Sequence, residues 1–147
     1  MTYKAIDVAN YVIGYANKLN NSVTNQKLEK ILYFIQGYGY SKLDKQLIDA
    51  DFEAWTYGPV IRDIYIEFSR YGSLLITDFY KSNYENIYFD EEDKLFLNEI
   101  IEELNKFSTN KLTFASMSKN SPWVMAYEKD KTNIIDKASI EKFFKKL

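Results

Sequence analysis

The chain has no cysteine and no histidine. Without them neither a disulfide framework nor zinc-finger ligand spacing is possible. Cysteine nucleophiles and histidine general bases are excluded for the same reason. A magnesium site built from carboxylates is the metal chemistry that survives. Glycine is scarce, at 5 residues in 147. Gly37 and Gly39 lack both the spacing of a phosphate loop and its following Lys-Ser/Thr. A basic surplus is also missing: the net charge is −2 and the pI about 5.3. Tight nucleic-acid binding, which draws on neutralised phosphates, is therefore not expected. No apolar run approaches the roughly 18 residues of a membrane span, and the N-terminus does not run from basic to apolar. The expectation is a soluble cytoplasmic protein with no membrane partner, no metal and no cofactor.

What the chain has is aromatic residues, 17% of the total, with 13 Tyr and 10 Phe. Lys, Asn and Ile are abundant too, the pattern of an AT-rich genome, so the tyrosine count by itself does not mark a binding surface. Hydrophobic residues at 46% and charged residues at 27% describe a globular chain. Its length suits one domain over residues 1–147 with a core of its own.

The stretch Asp51–Gly72 organises the rest. Leu47–Trp55 alternates like a strand and turns through Tyr57-Gly58-Pro59. Pro59 then suits the first position of a helix, where its missing N–H is no loss. Val60, Ile64, Phe68 and Tyr71 follow at helical spacing, and Gly72 sits where a left-handed stop is expected. Before this stretch, Ala5–Leu19 reads as an amphipathic helix. A second helix starts after Thr24 as N-cap, with Leu28, Ile31, Leu32 and Ile35 inside, and Gly37 and Gly39 loosening its end. After the stretch, Leu74–Phe79 has the β-branched composition of a partner strand for a small antiparallel ribbon. Lys81–Phe89 reads as a loop or hairpin.

Asp90 can cap a fourth helix reaching about Lys106, with Leu97, Ile100, Ile101 and Leu104 inside and an acidic outer face. Leu112–Met117 is a short helix. Ser121 and Pro122 begin another, and Asp136 caps the last. The whole reads as a mainly α, compact single-domain fold with a small antiparallel β ribbon.

Chemistry is thinly represented. Asp51 with Glu53, or Asp90 with Asp93, are the available acid pairs, and both positions have ordinary structural explanations at turns and helix starts. Trp55 and Trp123 are expected in the core, given the general preference of Trp for burial. The break at Asn20-Asn21-Ser22 resembles a helix-turn-helix, but the second helix carries only Lys27 and Lys30 as basic residues and leaves little polar face for DNA.

Three segments together resemble the Panacea-domain family, the phage-associated, SocA-like antitoxin domain. Lys30-Ile-Leu-Tyr-Phe-Ile-Gln-Gly37 matches the family's Lys-Leu-Leu-Tyr-Phe-x-Gln-Gly helix. Phe52-Glu-Ala-Trp-Thr-Tyr-Gly-Pro-Val60 is close to its Glu-Ala-Trp-x-Tyr-Gly-Pro-Val segment. Pro122-Trp123 follows a short helix. The resemblance marks Lys30, Phe34, Gln36, Gly37, Glu53, Trp55, Gly58, Pro59, Pro122 and Trp123 as motif residues with structural roles. Family members often carry Thr-His upstream of Pro-Trp, where this chain has Met117-Ser118.

The resemblance implies an antitoxin that neutralises a protein toxin by direct binding, not an enzyme. It also implies alternatives: an adaptor that hands a toxin to an ATP-dependent protease, or a phage inhibitor of a host defence nuclease. A DNA-binding regulator is the remaining class. Exposed aromatic and basic residues around the second helix and the Gly-Pro segment are the expected partner surface, namely Tyr33, Tyr38, Tyr57, Arg62 and Tyr65.

Overall fold

A computed structural model describes residues 1–77, 83–129 and 133–147. Its spine is a helix, α2 (Asn25–Leu43), in which 13 of the 19 residues are buried. Burial on that scale means neighbours on every side. Helix α1 (Ala5–Lys18) packs on it, as do α3 (Arg62–Glu67), α4 (Glu91–Leu104), α5 (Thr109–Ser116) and α7 (Lys137–Lys145). Helix α6 (Pro122–Lys129) sits against the sheet instead. The core runs from Val8, Val12 and Ile13 of α1 through Leu28, Ile31, Leu32 and Ile35 of α2. It continues to Leu97 and Ile101 of α4 and Phe144 of α7.

Several helix starts follow their capping residues, whereas Asp90, expected to cap α4, precedes that helix without a side-chain cap hydrogen bond. The Thr24 hydroxyl accepts from Lys27 N at 3.1 Å, and Ser121 Oγ accepts from Val124 N at 3.2 Å. Asp136 Oδ2 accepts from Ser139 N at 3.1 Å. Each satisfies an N–H that the helix itself leaves unpaired.

Two small sheets complete the fold. β1 (Tyr3–Lys4) pairs in parallel with β2 (Ile48–Asp49). β3 (Phe52–Trp55) pairs antiparallel with both β4 (Gly58–Val60) and β5 (Ile134–Ile135), in the order β4-β3-β5. Buried polar side chains of α2 hold these strands. Gln36 Nε2 donates to Ile48 O at 3.0 Å, and its Oε1 accepts from Ile48 N at 2.8 Å. One side-chain amide serves β2 as a neighbouring strand would.

Several expectations change. The extended segment expected over Leu47–Trp55 is broken into β2 and β3. Pro59 lies in strand β4, and the helix starts only at Arg62. The ladder partners Ala54↔Pro59 and Trp55↔Gly58 close a hairpin with the two-residue turn Thr56-Tyr57. Pro59 suits this edge strand because its missing N–H would have no ladder partner there. Leu74–Thr77 forms no strand, and Ile134–Ile135 takes the place beside β3. The remaining residues of that expected strand, 78 and 79, lie outside the described residues. So do 81 and 82 of the expected loop, whose described part contains a short 3-10 turn, Tyr84–Asn86.

Gly37 and Gly39 do not end α2. Gly37 sits mid-helix because the Phe144 ring fills the space where a Cβ would go. Gly72 has φ +57° after a 3-10 turn, so a chain reversal does occur at the expected glycine.

Candidate functional site

The N-terminal half of α2 faces the outer edge of β4. Glu29 and Lys30 are adjacent, 0% and 1% exposed, inside an otherwise apolar run. Glu29 Oε1 accepts from Ile61 N at 2.8 Å, and Lys30 Nζ reaches Pro59 O at 3.4 Å. A C=O at one residue and an N–H two residues on are the groups that a parallel neighbour strand would satisfy. Two charged side chains take that strand's place. Burial pushes the Glu29 carboxyl up and the Lys30 ammonium down, each toward its neutral form, while their mutual attraction opposes both shifts.

Gly58 makes the approach possible. A Cβ there would lie 2.8 Å from Lys30 Cε, and its φ of +116° is one that L side chains rarely adopt.

Above this floor the hairpin raises an aromatic wall. Trp55 and Tyr65 meet edge to face at a centroid distance of 5.1 Å. The Arg62 guanidinium lies 5.6 Å from the Trp55 ring centroid. Glu53 binds both: its Oε1 accepts from Trp55 Nε1 at 3.0 Å and from Arg62 Nη2 at 2.9 Å, and its Oε2 accepts from Arg62 Nε at 3.2 Å. The hydrogen bond from Arg62 holds the Glu53 carboxyl below its usual range, against the opposing effect of partial burial. From behind, Trp123 Nε1 donates to Trp55 O at 2.8 Å, and the Trp123 ring stacks on Tyr127 at 4.6 Å.

Between wall and floor lies a groove of about 820 Å³, open to solvent. Asn25, Glu29 and Lys30 line its base, and Trp55, Tyr57, Val60, Arg62 and Tyr65 one side. Thr109 and Asn110, the first residues of α5, close the other. The site offers aromatic rings, an arginine already oriented by a carboxylate, and buried polar groups beneath them, the composition from which interface centres are built.

Most of the segments that form this site, from Leu28 of α2 through the hairpin to the start of α6, fall within the reach of one family model. The model described as Antitoxin SocA-like, Panacea domain matches residues 28–124. The chain belongs to that family. It is 37% identical over 65 residues to Antitoxin SocA of Caulobacter vibrioides (strain NA1000 / CB15N). That alignment covers 44% of this chain and 35% of the relative, so only about a third of that protein's length is matched. No solved structure matches the chain.

Seen in this Panacea domain, the motif residues interlock. Lys30, Gly58 and Pro59 meet at the β4 edge, Glu53 clamps Trp55, and Trp123 locks onto the Trp55 carbonyl. Gln36 and Gly37 hold β2 and α7 respectively, and Phe34 packs on Phe144 at 6.0 Å. Pro122 opens α6 as expected.

The residues expected on a partner surface divide. Tyr57 is 70% exposed, Tyr65 is 39% exposed and Arg62 is exposed, and all three line the groove. Tyr33 is 1% exposed, so its place on that surface is withdrawn. Its ring lies among Phe34, Phe52 and Phe144, and burial raises its phenol above the ordinary range. Tyr38 is half-buried on Phe34 and Phe144 and is not part of the groove. Trp55, expected in the core, is half-buried on the groove wall, because the hairpin turns its ring outward over Tyr65.

The acid pairs are otherwise engaged. Asp51 pairs with Lys137 and Glu53 with Arg62; the buried Asp93 carboxylate accepts from Tyr3 Oη and from Lys45 Nζ, both at 2.6 Å. Glu29 and Asn25 went unremarked in the sequence. The signal was there in Glu29-Lys30, a charged pair at the head of Ile-Leu-Tyr-Phe-Ile.

Proposed function

We propose that the chain is an antitoxin that neutralises a protein toxin by direct binding, with the toxin seated on the groove face. The observation that carries the reading is the convergence of Tyr57, Arg62 and Tyr65 around one open groove backed by Trp55. Membership in an antitoxin family supports a toxin as the partner. We take the chain to act by binding rather than by catalysis, since it contains neither histidine nor cysteine. Among the described residues, no helix is long and apolar enough to cross a membrane.

The test is co-expression with the product of the adjacent gene, reading growth rescue and co-purification. Tyr57→Ala, Tyr65→Ala and Arg62→Glu should each keep the helical signal and cooperative melting while weakening both readouts. Folded variants that rescue growth and co-purify the toxin unchanged would move the binding surface elsewhere.

A second reading, inhibition of a host defence nuclease, rests on the outer face of α4. Glu91, Glu92, Glu99, Glu102 and Glu103 are all exposed there. Charge reversal on that face, with the groove intact, separates the two readings.

A further inference from the structure

Helix α3 is fixed to α2 at two points. Glu29 Oε1 accepts from Ile61 N at 2.8 Å, just before α3 begins, and Asn25 Nδ2 donates to Tyr65 O at 3.1 Å, one turn further along. Asn25 and Glu29 are four residues apart on α2, so their side chains share one face, and they are 3% and 0% exposed. Each holds α3 with one atom. The other atom, Asn25 Oδ1 or Glu29 Oε2, is closed off from solvent and has no partner. Buried polar atoms without partners are rare enough to require an explanation.

Two acceptors cannot satisfy each other, but one of these belongs to an acid. A protonated carboxyl is a donor, and an O–H on Oε2 directed at the Asn25 amide oxygen completes both groups at once. The surrounding charges leave room for it. Among the described residues no ion pair to Glu29 forms. Lys30, next on α2, directs an N–H at Pro59 O. From α3 come Arg62, paired with Glu53 of β3, and Tyr65; from the hairpin turn comes Tyr57. From α5 come Thr109 and Asn110, neither of which titrates. Burial is the largest influence on the Glu29 carboxyl and pushes it up, against the bond from Ile61 N and the attraction of Lys30.

We propose that Glu29 keeps its proton at neutral pH and donates it to Asn25 Oδ1, so that one proton joins the two bonds that position Arg62 and Tyr65 on the groove wall. Glu29 and Asn25 are then positioning residues that act on the partner through α3. This rests on the reading of the groove as the partner face and adds the protonation state in which that face is assembled. Ionised Glu29 would set two bare acceptors against each other, and α3 should loosen.

The full chain is labelled with ¹³C at its glutamate carboxyls, and the resonances are followed from acid to mildly alkaline pH, with Glu29→Gln identifying the Glu29 signal. Exposed glutamates should ionise near about 4.3, whereas Glu29 should still be the neutral acid at neutral pH. Asn25→Ala removes the acceptor for that proton and should bring Glu29 ionisation to lower pH. Glu29→Gln keeps an acceptor for Ile61 N and puts an amide N–H where the acid proton was, so it should fold. Folding of the natural chain then takes up one proton. Its folding constant relative to that of Glu29→Gln should fall about tenfold for each pH unit above about 4.3, until Glu29 itself ionises. Toxin capture by Glu29→Gln should persist into the alkaline range where the natural chain loses it.

A Glu29 carboxyl that ionises with the other glutamates would overturn the proposal. So would a Glu29 titration unmoved by Asn25→Ala, or a Glu29→Gln chain less stable than the natural one at neutral pH. Should Asn25→Ala not fold, the titration of the natural chain and its stability ratio to Glu29→Gln decide on their own. If Glu29 is ionised at neutral pH while Arg62→Glu and Tyr65→Ala still abolish toxin capture, the proton inference alone fails. If those variants capture toxin normally, the placement of the partner face fails, whatever Glu29 does.

Discussion

The two halves of α2 use similar residues for opposite ends. In the C-terminal half, Tyr33, Phe34 and Tyr38 close on Phe52 and Phe144 into a dry aromatic cluster. In the N-terminal half, Asn25, Glu29 and Lys30 support the hairpin and α3, and Trp55 and Tyr57 of the one and Tyr65 of the other stand around an open groove. The difference lies in what covers the rings. The first set lies under α7, where Gly37 lets Phe144 sit against the helix backbone. The second stands on the hairpin and on α3 with its groove side uncovered, and polar side chains of α2 are spaced beneath it. Aromatic content thus makes a core in one half and the wall of an open groove in the other, with the polar residues of α2 beneath the groove.

Damage to the dry half should cost the most. Phe144→Ala is expected to lower stability by about 3–5 kcal/mol, as a large-to-small change in a packed core does. Thermal melting should show it, and toxin capture by the folded fraction should be unchanged. Gly58→Ala comes next, at about 1–3 kcal/mol, because it forces a side chain into a positive-φ site and against Lys30. Since the clash moves the groove floor, this variant should lose both stability and capture.

Trp55→Ala should cost only about 1–2 kcal/mol, because the half-buried ring leaves water only in part. Its larger effect should be on binding. A melting loss as great as that of Phe144→Ala would return Trp55 to the core.

The smallest effect is electrostatic. Glu53 is held below its usual pKa mainly by Arg62 and is ordinary when unfolded, near 4.3. Its contribution is present above that value and disappears as pH falls through the lower, folded one. The effect is the smallest of the set because the Arg62 half of the pair stands in solvent. The melting difference between the natural chain and Glu53→Gln should hold from neutral pH to about 5 and close below it.

Three helix starts were legible because single residues set them. Thr24, Ser121 and Asp136 each cap with the oxygen that their residue type offers. The inner stripe of α4 was legible because four apolar positions keep the period of a buried face. The hairpin was not. Gly-Pro before an amphipathic run fits a helix start locally, and only Glu29 and Lys30, far away in sequence, make it an edge strand. The third strand was missed because Ile134–Ile135 is only two residues long and its partner lies about eighty residues earlier. Exposure of individual tyrosines was harder to read, since Phe144, more than a hundred residues away, is part of what covers Tyr33.

The central claim is that the groove face, and not the dry half or the acidic face of α4, meets the partner. Amide hydrogen exchange of the chain, free and bound to its toxin, tests it directly. Complex formation should slow exchange over the hairpin and α3 and at the start of α5, and leave α4 unchanged. Protection confined to α4, with the hairpin exchanging as in the free chain, would contradict it.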